Sequence, residues 1–378
     1  MSKRIWIVAG EASGDARSAE LMRAIHDLDA GIEFIGAGGP KMQPLAGEPF
    51  DNWIAEAGVL GLWDVLKNYG YFRAKFDRML ADIERLRPDA VLLVDYPGFN
   101  LRLAKALRKR QPKIRILFYV SPQVWAWNRN RIPKMARWLD LMLCIFPFEK
   151  PLYEKSGLRT EFVGHPIVEQ MSRDRQPLER DPLLLGFFPG SREREVRRIF
   201  PPMVKAARLV AAARPDIRFE AAAASEAHAA QMREMAAGVP IEIRAGSAHE
   251  LMQHAGVGIV CSGTATLEAA CFGLPYALVY KTAWLTFEVG RRLIKVPHLG
   301  IINILAGRTV VRELIQDAAT PGALADEALR LFNNPSARAR LAVELGEVIA
   351  TLHGEGASDR AARAVLDALP AHDKLSSS

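Results

Sequence analysis

Two short stretches of this chain carry residue types suited to holding a diphosphate. One is Ser262-Gly-Thr-Ala-Thr-Leu-Glu268; the other, seventy residues earlier, is Phe188-Pro-Gly-Ser-Arg192. Each follows a short apolar run that reads as a buried strand, 257–261 before the first and 183–188 before the second, and each opens a helix. Small residues at such a turn let backbone N–H groups close on an anion, and a helix N-terminus favours negative charge. Ser191, Ser262, Gly263 and Thr264 supply hydroxyl and backbone donors, and Arg192 supplies a guanidinium. Glu268 falls one turn into its helix, where a carboxylate can accept hydrogen bonds from ribose hydroxyls. The plainer reading is two tight strand-to-helix turns with no ligand. Two such turns in one half of the chain favour the ligand, because open α/β sheets bind at the carboxyl ends of their strands. Together they predict a site for a diphosphate with a sugar attached.

Alternating strands and helices must carry these turns. Apolar runs at 5–9, 32–36, 90–94, 114–120, 141–146 and 161–163 read as strands, with a helix over 13–28 after the first. From 164 to 182 the chain turns polar and proline-containing, as a linker would. Alternation restarts at 183–188 and continues through 218–222, 241–243, 257–261 and 276–279. This pattern predicts parallel sheets covered by helices. A chain of 378 residues exceeds one ordinary core, so two doubly wound domains of similar size are expected. The glycines of Ala9-Gly-Glu-Ala-Ser-Gly14 lack the G-x-G-x-x-G spacing, which argues against a nicotinamide cofactor.

Composition narrows the partners. Hydrophobic residues make up 49% and charged residues 25%, as in a globular protein. No apolar run reaches the ~18 residues that span a bilayer. Basic residues before the run at 5–9 faintly mimic a secretion signal, but the run is short and Gly10-Glu11 ends it like a strand entering a loop. Cys144, Cys261 and Cys271 are scattered and form neither a metal cluster nor a disulfide framework, which fits a reducing, cytoplasmic compartment. The net charge of +7 predicts an anionic partner. Basic residues cluster at 108–110, 192–198 and 291–292 without interleaved aromatics, so nucleic acid is not expected. Phosphorylated small molecules or an anionic membrane surface fit better.

Longer motifs extend these observations. They run in order: Ala9-Gly-Glu-Ala-Ser-Gly-Asp15, Gly38-Gly-Pro-Lys-Met42, Asp95-Tyr-Pro-Gly-Phe-Asn100, Tyr119-Val-Ser-Pro-Gln-Val-Trp-Ala-Trp127, Pro147-Phe-Glu149, Phe162-Val-Gly-His-Pro166, Pro189-Gly-Ser-Arg192, Ser262 to Glu268, and Asn303-Ile-Leu-Ala-Gly-Arg308. In this order the chain resembles the lipid-A-disaccharide synthases, inverting glycosyltransferases of the GT-B class, from residue 9 to about 320. The run Val-Ser-Pro-x-Val-Trp-Ala-Trp is its most specific part. The resemblance implies two Rossmann-like doubly wound domains facing a cleft. Residues 1–168 would bind the acylated acceptor and 169–350 the UDP-sugar donor. Residues 351–378 would form a helix and tail packing back on the first domain or on a partner subunit, with a homodimer left open. The implied reaction joins UDP-2,3-diacylglucosamine to 2,3-diacylglucosamine 1-phosphate, giving a β-1,6-linked disaccharide 1-phosphate and UDP. No cofactor and no metal are implied; Asp27-Leu-Asp29 has a metal-type spacing but falls at the end of a surface helix.

Site residues follow from the residues and the resemblance together. Asp95 ends a strand that reads as buried and matches the family position that activates the acceptor, with a helix-capping aspartate as its alternative. Glu11, ending the first strand, is the competing base. Arg192 matches a family arginine needed for activity; a surface ion pair with Glu195 is the plainer role. Asn303 is expected at donor sugar or nucleotide, or else as a turn residue, and His165 as a structural hinge residue. The segment 59–73 is apolar and aromatic with basic ends, and Leu62, Trp63 and Leu66 are its candidates for contact with membrane or acyl chains. A core helix or a dimer interface would show the same composition. Gly98, Ile302, Arg312 and the segment 282–287 depart from the family pattern around the donor pocket. Other GT-B UDP-sugar enzymes, such as epimerases or UDP-GlcNAc transferases, and a silent lipid- or nucleotide-binding relative are the competing readings.

Overall fold

The computed structural model describes residues 2–54, 69–283, 287 and 296–370. Leu62, Trp63 and Leu66 lie outside the described residues. The chain forms two compact units, Met1–Pro166 with Glu355–Ser378, and Ile167–Gly354.

In the first unit seven strands are described: β1 (Arg4–Ala9), β2 (Glu33–Ala37), β3 (Phe50–Asp51), β4 (Ala90–Val94), β5 (Arg115–Tyr119), β6 (Leu141–Cys144) and β7 (Thr160–Phe162). They pair in parallel in the order β3-β2-β1-β4-β5-β6-β7. Both faces of this sheet are covered, so the central strands are continuous apolar runs; every residue of β4 and β6 is buried. The helix Ala357–Ala368, far along the chain, packs on the helix Ala12–Leu28. Buried Ala361, Ala362 and Ala364 leave room for a close approach. Arg360 Nε then donates to the Val163 carbonyl at 3.0 Å and ties this returning segment to the sheet's edge.

In the second unit six strands are described: β8 (Asp181–Phe188), β9 (Arg218–Ala223), β10 (Ile241–Ala245), β11 (Ala255–Cys261), β12 (Tyr276–Tyr280) and β13 (Glu313–Ile315). All are parallel, in the order β10-β9-β8-β11-β12-β13. Both units therefore wind outward from their first strand in one direction and then reverse. The reversal falls between β1 and β4 in one unit and between β8 and β11 in the other, and such switch points open a crevice at the strands' carboxyl ends.

The expected linker over 164–182 is not a plain linker. Pro166–Arg173 is a helix, with Pro166 at its first position and Ile167 and Met171, four residues apart, buried. Polarity concealed this one-sided pattern. The edge strands β3 and β13 span two and three residues, too short for periodicity to reveal them.

Candidate functional site

Each switch point carries candidate residues, and the two are built differently. In the second unit the turns after β8 and β11 line one cavity of about 460 Å³, within the range of small-molecule sites. Ser191, Arg192, Ser262, Gly263, Thr264 and Glu268 all contribute to its wall. The turn after β11 is open to an anion. Gly263 adopts φ 146°, a conformation closed to L side chains, and stands before the helix Thr264–Cys271 with no side-chain cap. The first-turn N–H groups of that helix are thus left to a ligand. Thr266 packs inside, its Oγ1 donating to the Gly263 carbonyl at 2.7 Å.

The turn after β8 is not equivalent. Glu195, one turn into the helix Glu193–Ala213, accepts from the backbone N–H of Ser191 and of Arg192 at 3.2 Å each. Its other oxygen takes Arg192 Nη1 at 3.1 Å. Gly190 makes room for this carboxylate, which a Cβ there would strike at 2.4 Å. The surface ion pair weighed for Arg192 is therefore present, and what this turn offers the cavity is the Ser191 hydroxyl and an Arg192 side chain 82% exposed.

In the first unit Asp95 and Tyr96 directly follow β4, and both are left-handed, with φ 49° and 46°. Val120, directly after the neighbouring β5, has φ 64°. Non-glycine residues in this region cost about 1–3 kcal/mol each and persist where surroundings over-determine them. Asn100, fully buried, is one such constraint; its Nδ2 donates to the Val94 carbonyl at 3.1 Å and to the Asp95 carbonyl at 2.8 Å. Asp95 does not cap the helix Pro97–Arg110, whose N-cap is Tyr96. Its carboxylate accepts from the Tyr96 N–H at 2.9 Å and from Arg17 Nη1 at 3.3 Å. At the end of β1, Gly10 lets the Tyr96 ring lie close, since a Cβ would sit 2.2 Å from it. Burial, and then the charge of Glu11, raise the Tyr96 phenol above its usual pKa, which places exposed Glu11 in the same neighbourhood.

The tryptophan-rich motif follows Val120. Glu149, fully buried, accepts from Trp125 Nε1 at 2.8 Å and from the Phe146 N–H at 3.1 Å. Burial pushes its carboxyl up to about 7. Tyr153 donates its hydroxyl to the Pro122 carbonyl at 2.8 Å. The motif is thus a braced loop. It ends at Trp127, 47% exposed, with the Arg131 guanidinium 5.3 Å over its ring. Burial, and then the Arg17 charge, push His165 down to about 3, so its ring is neutral near pH 7, as a structural residue's would be.

Asn303 is not brought to the cavity wall. It is fully buried in the helix Ile301–Ala306. Its Nδ2 donates to the Val311 carbonyl and to Glu313, and its Oδ1 accepts from the N–H groups of Val310 and Val311. That uses both donors and both lone pairs, so Asn303 is a brace of this turn. Conversely, His249, Arg17 and Asn100 were not singled out from sequence. His249 and Arg17 carry no motif, and only the fold puts them beside Glu268 and Asp95; Asn100 closes the motif that begins at Asp95, but its bracing role shows only in the fold.

Two Rossmann-like units, one holding a cavity at its switch point, define a two-domain α/β enzyme of the GT-B class. UDP-GlcNAc 2-epimerase from Neisseria meningitidis, in a structure bound to UDP-GlcNAc, shares this fold with a TM-score of 0.61 at 12% identity, over 96% of this chain and 100% of that one. A family model described as lipid-A-disaccharide synthetase matches residues 5–368. A lipid-A-disaccharide synthase from Trichlorobacter lovleyi is 39% identical over 374 residues, 96% of this chain and 97% of the relative. One from Geobacter metallireducens is 38% identical over 378 residues, 97% of this chain and 98% of the relative. The chain belongs to the lipid-A-disaccharide synthase family and is a glycosyltransferase.

Proposed function

We propose that this protein joins UDP-2,3-diacylglucosamine to 2,3-diacylglucosamine 1-phosphate, giving the β-1,6-linked lipid A disaccharide 1-phosphate and UDP. The observation that carries this reading is the family match along nearly the whole chain. The cavity that joins Ser191, Arg192, Ser262, Gly263, Thr264 and Glu268 supports its donor half. The diphosphate sits at the N-terminus of the helix Thr264–Cys271, and Arg192 exchanges Glu195 for the phosphates when the donor binds. Glu268 takes the ribose hydroxyls.

The chemistry is one displacement at the anomeric carbon. Asp95 accepts the proton of the acceptor 6-hydroxyl as its oxygen bonds to that carbon, and the bond to the diphosphate oxygen breaks with its electron pair leaving on UDP. Arg192 and the helix N-terminus stabilise the charge that develops there. Arg17 and the Tyr96 N–H hold the Asp95 carboxylate in one orientation. Glu11, at the N-cap of the helix that follows the neighbouring strand β1, is the alternative base.

The test is incubation of purified protein with both acylated substrates, followed by mass spectrometry. Disaccharide 1-phosphate and UDP in equal amounts are expected. Epimerised sugar from UDP-GlcNAc alone, with no disaccharide, would sink the reading.

The acylated substrates also call for contact with an anionic membrane, where the protein acts as a peripheral, cytoplasmic-side enzyme. Among the described residues no helix is long and apolar enough to cross a bilayer. The exposed Trp127–Arg131 pair supports surface contact, because amphipathic indoles favour the headgroup region. Replacing Leu62, Trp63 and Leu66 together by Ser is expected to reduce cosedimentation with anionic vesicles while UDP binding persists. Unchanged cosedimentation would assign the contact elsewhere.

A further inference from the structure

We infer that His249 is a positioning residue of the donor pocket: bridging Asp174 and Glu268, it orients the Glu268 carboxylate and makes nucleotide affinity depend on its own protonation. This rests on reading the cavity as the UDP site.

The bridge is built from three places in the second unit. His249 lies in the helix Ala248–His254 and lines the cavity beside Glu268. Its Nε2 is 3.7 Å from Glu268 Oε2 and its Nδ1 is 3.3 Å from Asp174 Oδ2. Asp174 holds its place through Gln253, buried on the same helix as His249. Gln253 Oε1 accepts from the Gln176 N–H at 2.7 Å, and its Nε2 donates to the Asp174 carbonyl at 3.4 Å. The Phe272 ring, with its centroid 5.7 Å from the imidazole, covers another side.

The charges around the ring favour the imidazolium. Glu268, and then Asp174, raise the His249 pKa above its usual value against the effect of burial. The other charges on or near these elements are engaged elsewhere. Arg175 stacks on Phe272 and donates to the Cys271 carbonyl. Glu220 and Glu250 both pair with Arg244. His254 bonds the Glu179 carbonyl. Arg192 pairs with Glu195 across the cavity wall. Burial holds the Cys261 and Cys271 thiols at about 12, so both stay neutral.

Protonation therefore has a structural consequence. An imidazolium donates from both nitrogens and can serve both carboxylates; a neutral ring has one N–H and can serve one. Once the proton is lost, Glu268 is less well held for the ribose hydroxyls and the pocket has one positive charge fewer. Affinity for UDP must then fall as the pH rises through the His249 pKa.

The experiment is calorimetric titration with UDP and with inorganic diphosphate between pH 7 and 9, each affinity corrected for the ligand's own ionisation, which is measured separately. The parent is expected to lose about tenfold in UDP affinity across this range, the scale of one charge-assisted hydrogen bond. Inorganic diphosphate, which has no ribose, is expected to lose less. His249→Gln is expected to bind UDP weakly and with a flat profile. His249→Arg, which keeps a permanent cation, is expected to retain at pH 9 the affinity that the parent has at pH 7. Circular dichroism confirms that each variant is folded, and the Arg variant remains decisive if the Gln variant is not. With the acylated donor, the loss must appear in KM with kcat preserved. A parent profile that is flat while UDP still binds, or a Gln variant that follows the parent, overturns the role of His249 alone. A folded parent that binds no UDP at any pH overturns the reading of the cavity itself.

Discussion

The two switch-point sites share one strand order and use opposite means. After β11 a glycine makes the turn, and a helix N-terminus is left with donors to spare. After β4 and β5 the turns are made by Asp95, Tyr96 and Val120 in a conformation that glycine would adopt with less strain. The difference follows from what each turn presents. A glycine turn offers backbone, which suits an anion. A non-glycine turn offers a side chain in a direction no relaxed backbone would give it, which suits a general base. The strained turn must then be held from outside, and the first unit is dense in such holds. Asn100 braces the Asp95 turn and Glu149 the tryptophan motif. Asp15, 2% exposed, accepts from the N–H groups of Gly39, Lys41 and Met42 and fixes the loop after β2.

The comparison breaks most readily at Asp95. Asp95→Asn keeps the shape and removes the proton acceptor, a loss of about 10²–10⁴ in kcat. Titration with UDP is expected to be little changed, since the proposed donor site is in the other unit. Near-normal turnover would move the role of base to Glu11.

Arg192→Ala is the counterpart in the second unit, and a smaller effect is expected. The Arg192–Glu195 pair is solvent-exposed and adds little to stability, so thermal melting should hardly move. Affinity for UDP is expected to fall by roughly 10- to 100-fold, as for a lost hydrogen bond to a charged group. Unchanged UDP affinity would leave binding to the helix N-terminus alone and sharpen the contrast between the two turns.

The remaining prediction tests a hold rather than a site. The Glu149 carboxyl is raised to about 7 from 4.5, so between these values the folded state binds the proton that the unfolded chain has released. Stability from this group is present below the lower value and is lost as pH rises through the upper one. Glu149→Gln can still accept from Trp125 and removes the titration. Unfolding free energies of parent and variant from urea titration should therefore diverge between pH 5 and 7.5, against the parent, by at most about 3 kcal/mol. The depressed His165 acts with the opposite sign, weakening the fold as pH falls below its usual value, but it is common to both proteins and cancels in the difference. Parallel pH profiles would show that the Glu149 proton is not coupled to folding.

Much of the cavity after β8 and β11 was legible in the sequence. Gly263, the short apolar runs before each turn and the helices after them are local signals, each complete within a few residues. The inequality of the two turns was not legible, because it depends on where the Glu195 carboxylate goes. In the first unit the strands and the position of Asp95 could be read, but not its strain or Arg17, which lies 78 residues away. The helix over Pro166–Arg173 was missed because two buried residues in a polar run carry too weak a period.

The sequence by itself determined two parallel α/β sheets, their approximate extents and the turns that face their switch points. These follow from backbone stereochemistry and hydrophobic periodicity, both of which act over a few residues. Only the tertiary structure decided which side chains hold those turns and which share them. Trp125 meets Glu149 across 24 residues, and Asp174 and Glu268 both reach His249 from other segments. Such pairings depend on distances set by sheet order and helix packing, and no local pattern records them.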